Sequence, residues 1–280
     1  MNYIRTILAA LVLLSGACIQ AFAQLEVRLE SPRRDYILGE NATLKITIVN
    51  HTDTSVALNS IPGRSWLSLQ VQRRGESLPL SPSSVPRYPG ITISPGSSRA
   101  YNISLKPHYN LGREGTYSVV ATLRLPDMRT TYSSNAAMIN MISGSNVRSY
   151  TVQARGQRLK MCLKSLHVNG KDVLFGQVMN EDTRQALGAC YLGQYLNFMP
   201  PRVLLDRAQN LHMLCQSSAD YFTYAVMDTF GNRREYKVMT RTGGPVDIVS
   251  TGGGIRCVGL KEYKKPKSDI DTYHSATDRP

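Results

Sequence analysis

Apolar and polar residues trade places along most of this chain, and the exchange has a period of two. Leu25-Glu26-Val27-Arg28-Leu29-Glu30 shows it cleanly, and residues 42–49 repeat it. Successive side chains of a strand point to opposite faces, so such a ribbon buries one face and wets the other. Further runs lie at 56–58, 66–71, 100–105, 116–125 and 135–142. Turn-forming residues separate them: Leu38-Gly39-Glu40-Asn41, Asn50-His51-Thr52-Asp53, Pro62-Gly63, Arg74-Gly75-Glu76 and Pro95-Gly96. Residues 78–90, rich in Pro and Ser, read as a surface loop. No helical stripe interrupts the pattern. Seven or more short strands in about 120 residues predict a β-sandwich over residues 24–145.

The second half carries the same kind of pattern with a different rhythm. Residues 146–158 read as a linker containing at most a short strand, and a second, smaller domain spans 159–262. Within it four runs, 202–206, 211–215, 221–227 and 234–239, are joined by short polar turns and predict an antiparallel meander. Residues 245–250 and 255–260 flank Gly252-Gly253-Gly254 and add a hairpin. The tail, 263–280, is polar and charged and is expected to be disordered. The fold class expected is all-β.

Particular residues of the first half resemble a known family. The run Gly39-Glu40-Asn41-Ala42-Thr43-Leu44-Lys45-Ile46-Thr47-Ile48-Val49-Asn50, the Ser94-Pro95-Gly96 turn and Gly115-Thr116-Tyr117-Ser118-Val119 are similar to bacterial immunoglobulin-like domains. These include the type named after an intracellular proteinase inhibitor. The resemblance implies a sandwich fold and places Tyr117 where such domains form a tyrosine corner. It also brings in protease inhibition as an alternative function, although no reactive loop is identifiable. The meander around Leu205-Asp206 and Asn210-Leu211-His212-Met213-Leu214 resembles one blade of a β-propeller.

The N-terminus reads as an export signal. Arg5 is the only charge before Glu26; an apolar run follows it, and Ala21-Phe22-Ala23 gives a small-residue cleavage site before Gln24. The run is about ten residues, half of the roughly 20 that span a bilayer. The expectation is therefore residues 1–23 as a cleaved signal, a secreted or periplasmic mature chain and no transmembrane segment. Cys18, preceded by small residues, offers a second reading as a lipidated N-terminus.

The formal net charge of +13 is spread over both halves, without a run of basic residues longer than two. Scattered charge suits weak adhesion to anionic surfaces, whereas nucleic-acid recognition wants a stripe or a known module. Partners are sought among proteins or glycans of the cell envelope. Besides Cys18, the cysteines are Cys162, Cys190, Cys215 and Cys257, an even number that permits two disulfides in an exported chain. Cys162 alternates onto the face of Lys160 and Lys164, where a free thiol would meet solvent.

Candidate chemistry is sparse. His167, His212 and Asp206 form the one surface site worth naming, and alternation against Leu211 and Met213 makes His212 a sheet-surface residue. Asp206, Asp220 and Asp228 occupy turn positions, where bonding to nearby backbone accounts for them. No metal-ligand spacing, nucleophile elbow or phosphate loop occurs, so no cofactor is implied and no catalytic residue is assigned. Trp66 is expected in the sandwich core. The reading is an exported, non-catalytic binding or envelope-associated accessory protein. A hydrolase using His167 or His212 is the alternative from a different class.

Overall fold

The alternation in the first fifty residues becomes neighbouring strands of one small sheet. The computed structural model describes residues 25–84, 86–126, 130–168 and 170–264, and every regular element among them is a β-strand. The expected signal, its cut between Ala23 and Gln24, Cys18 and residues 265–280 of the tail lie outside the described residues.

The first half contains β1 (Leu25–Glu30), β2 (Asp35–Ile37), β3 (Thr43–Asn50), β4 (Val56–Leu58), β5 (Leu67–Arg73), β6 (Ile91–Ile93), β7 (Ser98–Ser104), β8 (Gly115–Arg124), β9 (Thr131–Ser133) and β10 (Ala137–Ile142). One sheet runs β1-β3-β7; a second runs β2-β10-β8-β5 with β9 on β8; β4 and β6 pair separately. All these pairings are antiparallel except β2 with β10. The two larger sheets close over a single core, in which Val27, Leu29, Ile46 and Ile48 meet Val71, Val119 and Ile139. Trp66 is buried there and donates its indole N–H to the Pro89 carbonyl at 3.1 Å. Tyr117 is buried too, its hydroxyl donating to the Arg113 carbonyl at 2.8 Å.

The second half contains β11 (Ser145–Ala154), β12 (Gln157–Val168), β13 (Lys171–Asn180), β14 (Ala186–Gln194), β15 (Arg202–Leu205), β16 (Leu211–Gln216), β17 (Tyr221–Met227), β18 (Arg233–Arg241), β19 (Asp247–Thr251), β20 (Gly254–Val258) and β21 (Leu260–Glu262). Strands β11 to β14 form one antiparallel meander, and β15-β16-β17-β18-β21 form another, the blade-like unit expected around Asp206. The segment read as a linker is mostly β11, paired with β12 along its length. It is an edge strand with largely exposed side chains, so it lacks the apolar row that announces a half-buried strand.

The two meanders pack face to face, Leu163, Leu174 and Leu192 against Met213, Ala225 and Met227. Gly176 permits this approach, since a Cβ there would stand 2.4 Å from the Met227 sulfur. The opposite face of β16 and β17 presents Leu214, Phe222, Tyr224 and Val226. It is covered by the β19–β20 hairpin through Ile248, Ile255 and Cys257. Both faces of β16 and β17 are therefore buried, and apolar residues occupy both phases of each strand, with His212 and Thr223 as buried polar exceptions.

The halves are joined through the outer face of β13 and β14. Ile37 packs with Val173, Phe175 and Ala189. The Ala189 amide donates to the Gly39 carbonyl at 3.0 Å, and the Gln177 side-chain amide donates to the Leu38 carbonyl at 2.9 Å. At the same seam the buried Glu40 pairs with Arg33, whose guanidinium lies 4.1 Å from the Tyr36 ring centroid and 5.4 Å from that of Phe175.

Candidate functional site

The expected group of His167, His212 and Asp206 is brought together only in part. At the end of β15 the Asp206 carboxylate accepts the Asn210 amide and side-chain N–H, both at 2.8 Å. This closes the short turn in which Gln209 takes a positive φ. That turn aims the carboxylate at His212 Nε2, 3.2 Å away, and the Tyr224 hydroxyl lies 2.7 Å from His212 Nδ1. Burial pushes the Asp206 carboxyl up, but the bonds from Asn210 and His212 outweigh it, and its pKa falls below the usual carboxylate value. Burial drives the Tyr224 hydroxyl strongly upward, with Glu235 adding to it.

Contrary to expectation, His212 is buried, because the face of β16 that it shares with Leu214 is the one covered by the β19–β20 hairpin. His167 stays exposed and bonds Asp172 across the β12–β13 hairpin at 2.8 Å, not Asp206 or His212. A carboxylate, an imidazole and a hydroxyl in line have the composition of a relay. Here the hydroxyl end faces a hydrophobic layer, and the three groups satisfy one another's hydrogen bonds.

Among the described residues Cys162, Cys215 and Cys257 are free thiols. Cys162 and Cys190 lie on opposite faces of the β11–β14 sheet, Cys215 lies in the core between the meanders, and Cys257 lies under the hairpin. Cys162 does share a face with lysines, yet it is buried. The first half covers that face where Gln177, its cross-strand neighbour, reaches Leu38.

Sequence reasoning passed over a cleft of about 600 Å³ between the halves. One wall is Asn41, Lys106 and Pro107; the other is Ala189, Cys190 and Tyr191 of β14 with Gly231, Asn232 and Arg233 from the turn into β18. Local chemistry fixes each part. Asn41 accepts the Lys106 amide at 3.2 Å and donates to the Ser104 hydroxyl at 3.0 Å, tying the lysine backbone to β7. The Asp228 carboxylate caps the 228–232 turn through the amides of Phe230 and Asn232, at 2.8 and 2.9 Å, and pairs with Arg234 at 2.7 Å. The turn sits directly on β14 because residue 188 is glycine; a Cβ there would lie 2.0 Å from the Phe230 carbonyl oxygen.

Arg233 donates to the Tyr191 carbonyl at 3.3 Å and stacks 4.8 Å from the Tyr236 ring centroid. Desolvation lowers the Lys106 pKa, with Cys190 and Glu40 acting weakly the other way. Lys106 also borders an adjoining recess of about 250 Å³ lined by Gly39, Tyr109 and Leu187, so it stands where two hollows meet. The lining of the larger hollow contains two cations and no carboxylate.

No family model matches the chain, and no curated protein matches it. Among solved structures it is similar to the sporulation control protein Spo0M of Bacillus subtilis, at 9% sequence identity and a TM-score of 0.31. The match covers 73% of this chain and 79% of that one.

Proposed function

We propose that this protein is an exported, non-catalytic binding or envelope-associated accessory protein that holds its ligand in the cleft between its halves. The observation that carries the reading is the cleft itself. It is open, its mixed polar and apolar walls come from both halves, and the seam between the halves is bonded by Gln177, Ala189 and the Arg33–Glu40 pair. A rigid seam presents both walls in fixed relation, which lowers the ordering cost of binding. The small-residue cleavage pattern before Gln24 supports export to the periplasm or the exterior. An immunoglobulin-like sandwich for the first half is supported by its two sheets over one core and by the bond from Tyr117 to the Arg113 carbonyl, the local geometry of a tyrosine corner.

The test is retention. Mature protein should cosediment with envelope fractions and withdraw a defined component in pull-downs, and a chain that diffuses freely with no retained partner counts against the reading. The alternative, a hydrolase, draws on the Asp206–His212–Tyr224 line. Peptide and glycan substrates turned over by wild-type protein but not by His212→Ala would favour it.

A further inference from the structure

We propose that the cleft is an oxyanion site in which Lys106 and Arg233 together take a phosphate or carboxylate group of the ligand. This deepens the binding reading above and rests on it. The two cations arrive from residues far apart in sequence, one from the loop after β7 and one from the start of β18, and both line the same hollow. Their backbones are held, Lys106 through Asn41 and Arg233 through the capped 228–232 turn. Arg233 spends one N–H on the Tyr191 carbonyl and keeps the rest of a five-donor fork.

The nearby acids are already engaged. Glu40 pairs with Arg33, and Asp228 pairs with Arg234. Among the described residues neither Lys106 nor Arg233 makes a salt bridge, so the cleft is positively charged, with Glu40 beside Lys106 in the adjoining recess offsetting part of that charge. Guanidinium and ammonium donors facing one space favour an oxygen-rich anion over a neutral sugar. The adjoining recess leaves room for the rest of the molecule that bears the anion.

The experiment is calorimetric titration of the mature chain, at low ionic strength, with inorganic phosphate, D-glucuronate and, as neutral control, glucose. It is repeated on Lys106→Gln and Arg233→Gln. Lys106 is exposed, so its variant should fold, and circular dichroism checks both. At least one anion should bind and glucose should not. Each substitution should weaken that anion roughly tenfold, the size expected for one lost charge-assisted hydrogen bond. Preference for phosphate or for glucuronate separates a phosphorylated ligand from a uronic-acid glycan.

An independent reading is alkylation of Cys190, which lines the cleft and is half-buried; saturating anion should slow it in wild type. The proposal is overturned if neither anion binds, if both variants bind as wild type does, or if Cys190 is not protected. Envelope retention without anion binding would remove this site and leave the accessory role standing. Anion binding without envelope retention would do the reverse.

Discussion

The side-chain amide of Gln177 donates 2.9 Å to the main-chain carbonyl of Leu38, a buried bond between residues 139 apart in sequence. It joins the middle of β13 to the loop after β2, at the seam between the halves. Gln177→Leu removes the donor and leaves a buried carbonyl without its partner, which costs about 1–3 kcal/mol. The urea midpoint should fall accordingly. An unchanged midpoint would mean that the bond contributes nothing to the seam.

The ion pair beside it predicts a larger effect. Arg33→Met leaves the Glu40 carboxylate, 3% exposed, without its cation. Breaking a buried pair from one side costs about 3–5 kcal/mol, whereas removing both charges is often close to neutral. Arg33→Met with Glu40→Gln should therefore recover much of the stability lost in Arg33→Met. A double variant no more stable than the single one would show that the guanidinium acts mainly through its stacking on Tyr36 and Phe175.

These two pairs also show what the sequence could and could not disclose. Strands β1, β3 and β8 were legible because one face of each meets solvent, so period two survives intact in their side chains. Strands β12 to β14 were harder to read. Their inner face meets β16 and β17 while part of the outer face meets the first half, so apolar residues occupy both phases. Asp206 and His212 are six residues apart, on either side of one turn, and their meeting could be anticipated. Lys106 and Arg233 share a cleft only because the halves dock, and no local pattern marks either one. The covering of Cys162 and His212 likewise follows from layers supplied by distant segments.

Close contact between β14 and the turn before β18 makes Gly188 a sensitive position. Its absent Cβ leaves space for the Phe230 carbonyl, and Ala there would force the turn outward. Overpacking of this kind costs about 1–3 kcal/mol. Gly188→Ala should lower the thermal midpoint, while Gly253→Ala, where nothing lies within 4 Å, should leave it nearly unchanged. Equal behaviour of the two variants would sink the argument.

The bonds received by Asp206 carry a pH signature. Its folded pKa lies below the ordinary value, so folding favours the ionised form. That contribution is complete above the unfolded pKa of about 4 and is lost as pH falls through the lower folded value. Asp206→Asn lacks this titration. In urea unfolding the stability gap between wild type and Asp206→Asn should be constant near neutrality and narrow below about pH 4. A gap that widens on acidification would reverse the sign of the linkage.

Thiol reactivity tests the layering of the second half. Cys162 and Cys215 are buried, and burial raises the Cys215 thiol to about 12 and the Cys257 thiol to about 11. Thiolate is the reacting species, so the rate follows both exposure and pKa. In a folded chain prepared to begin at Gln24, which lacks Cys18, an aromatic disulfide reagent should label Cys190 first. Cys257 should follow slowly, and Cys162 and Cys215 should react only when the fold opens. Denaturation without reductant should then expose four thiols. A count of zero or two would mean that pairs have formed, which requires rearranging the sheet that holds Cys162 and Cys190 on opposite faces.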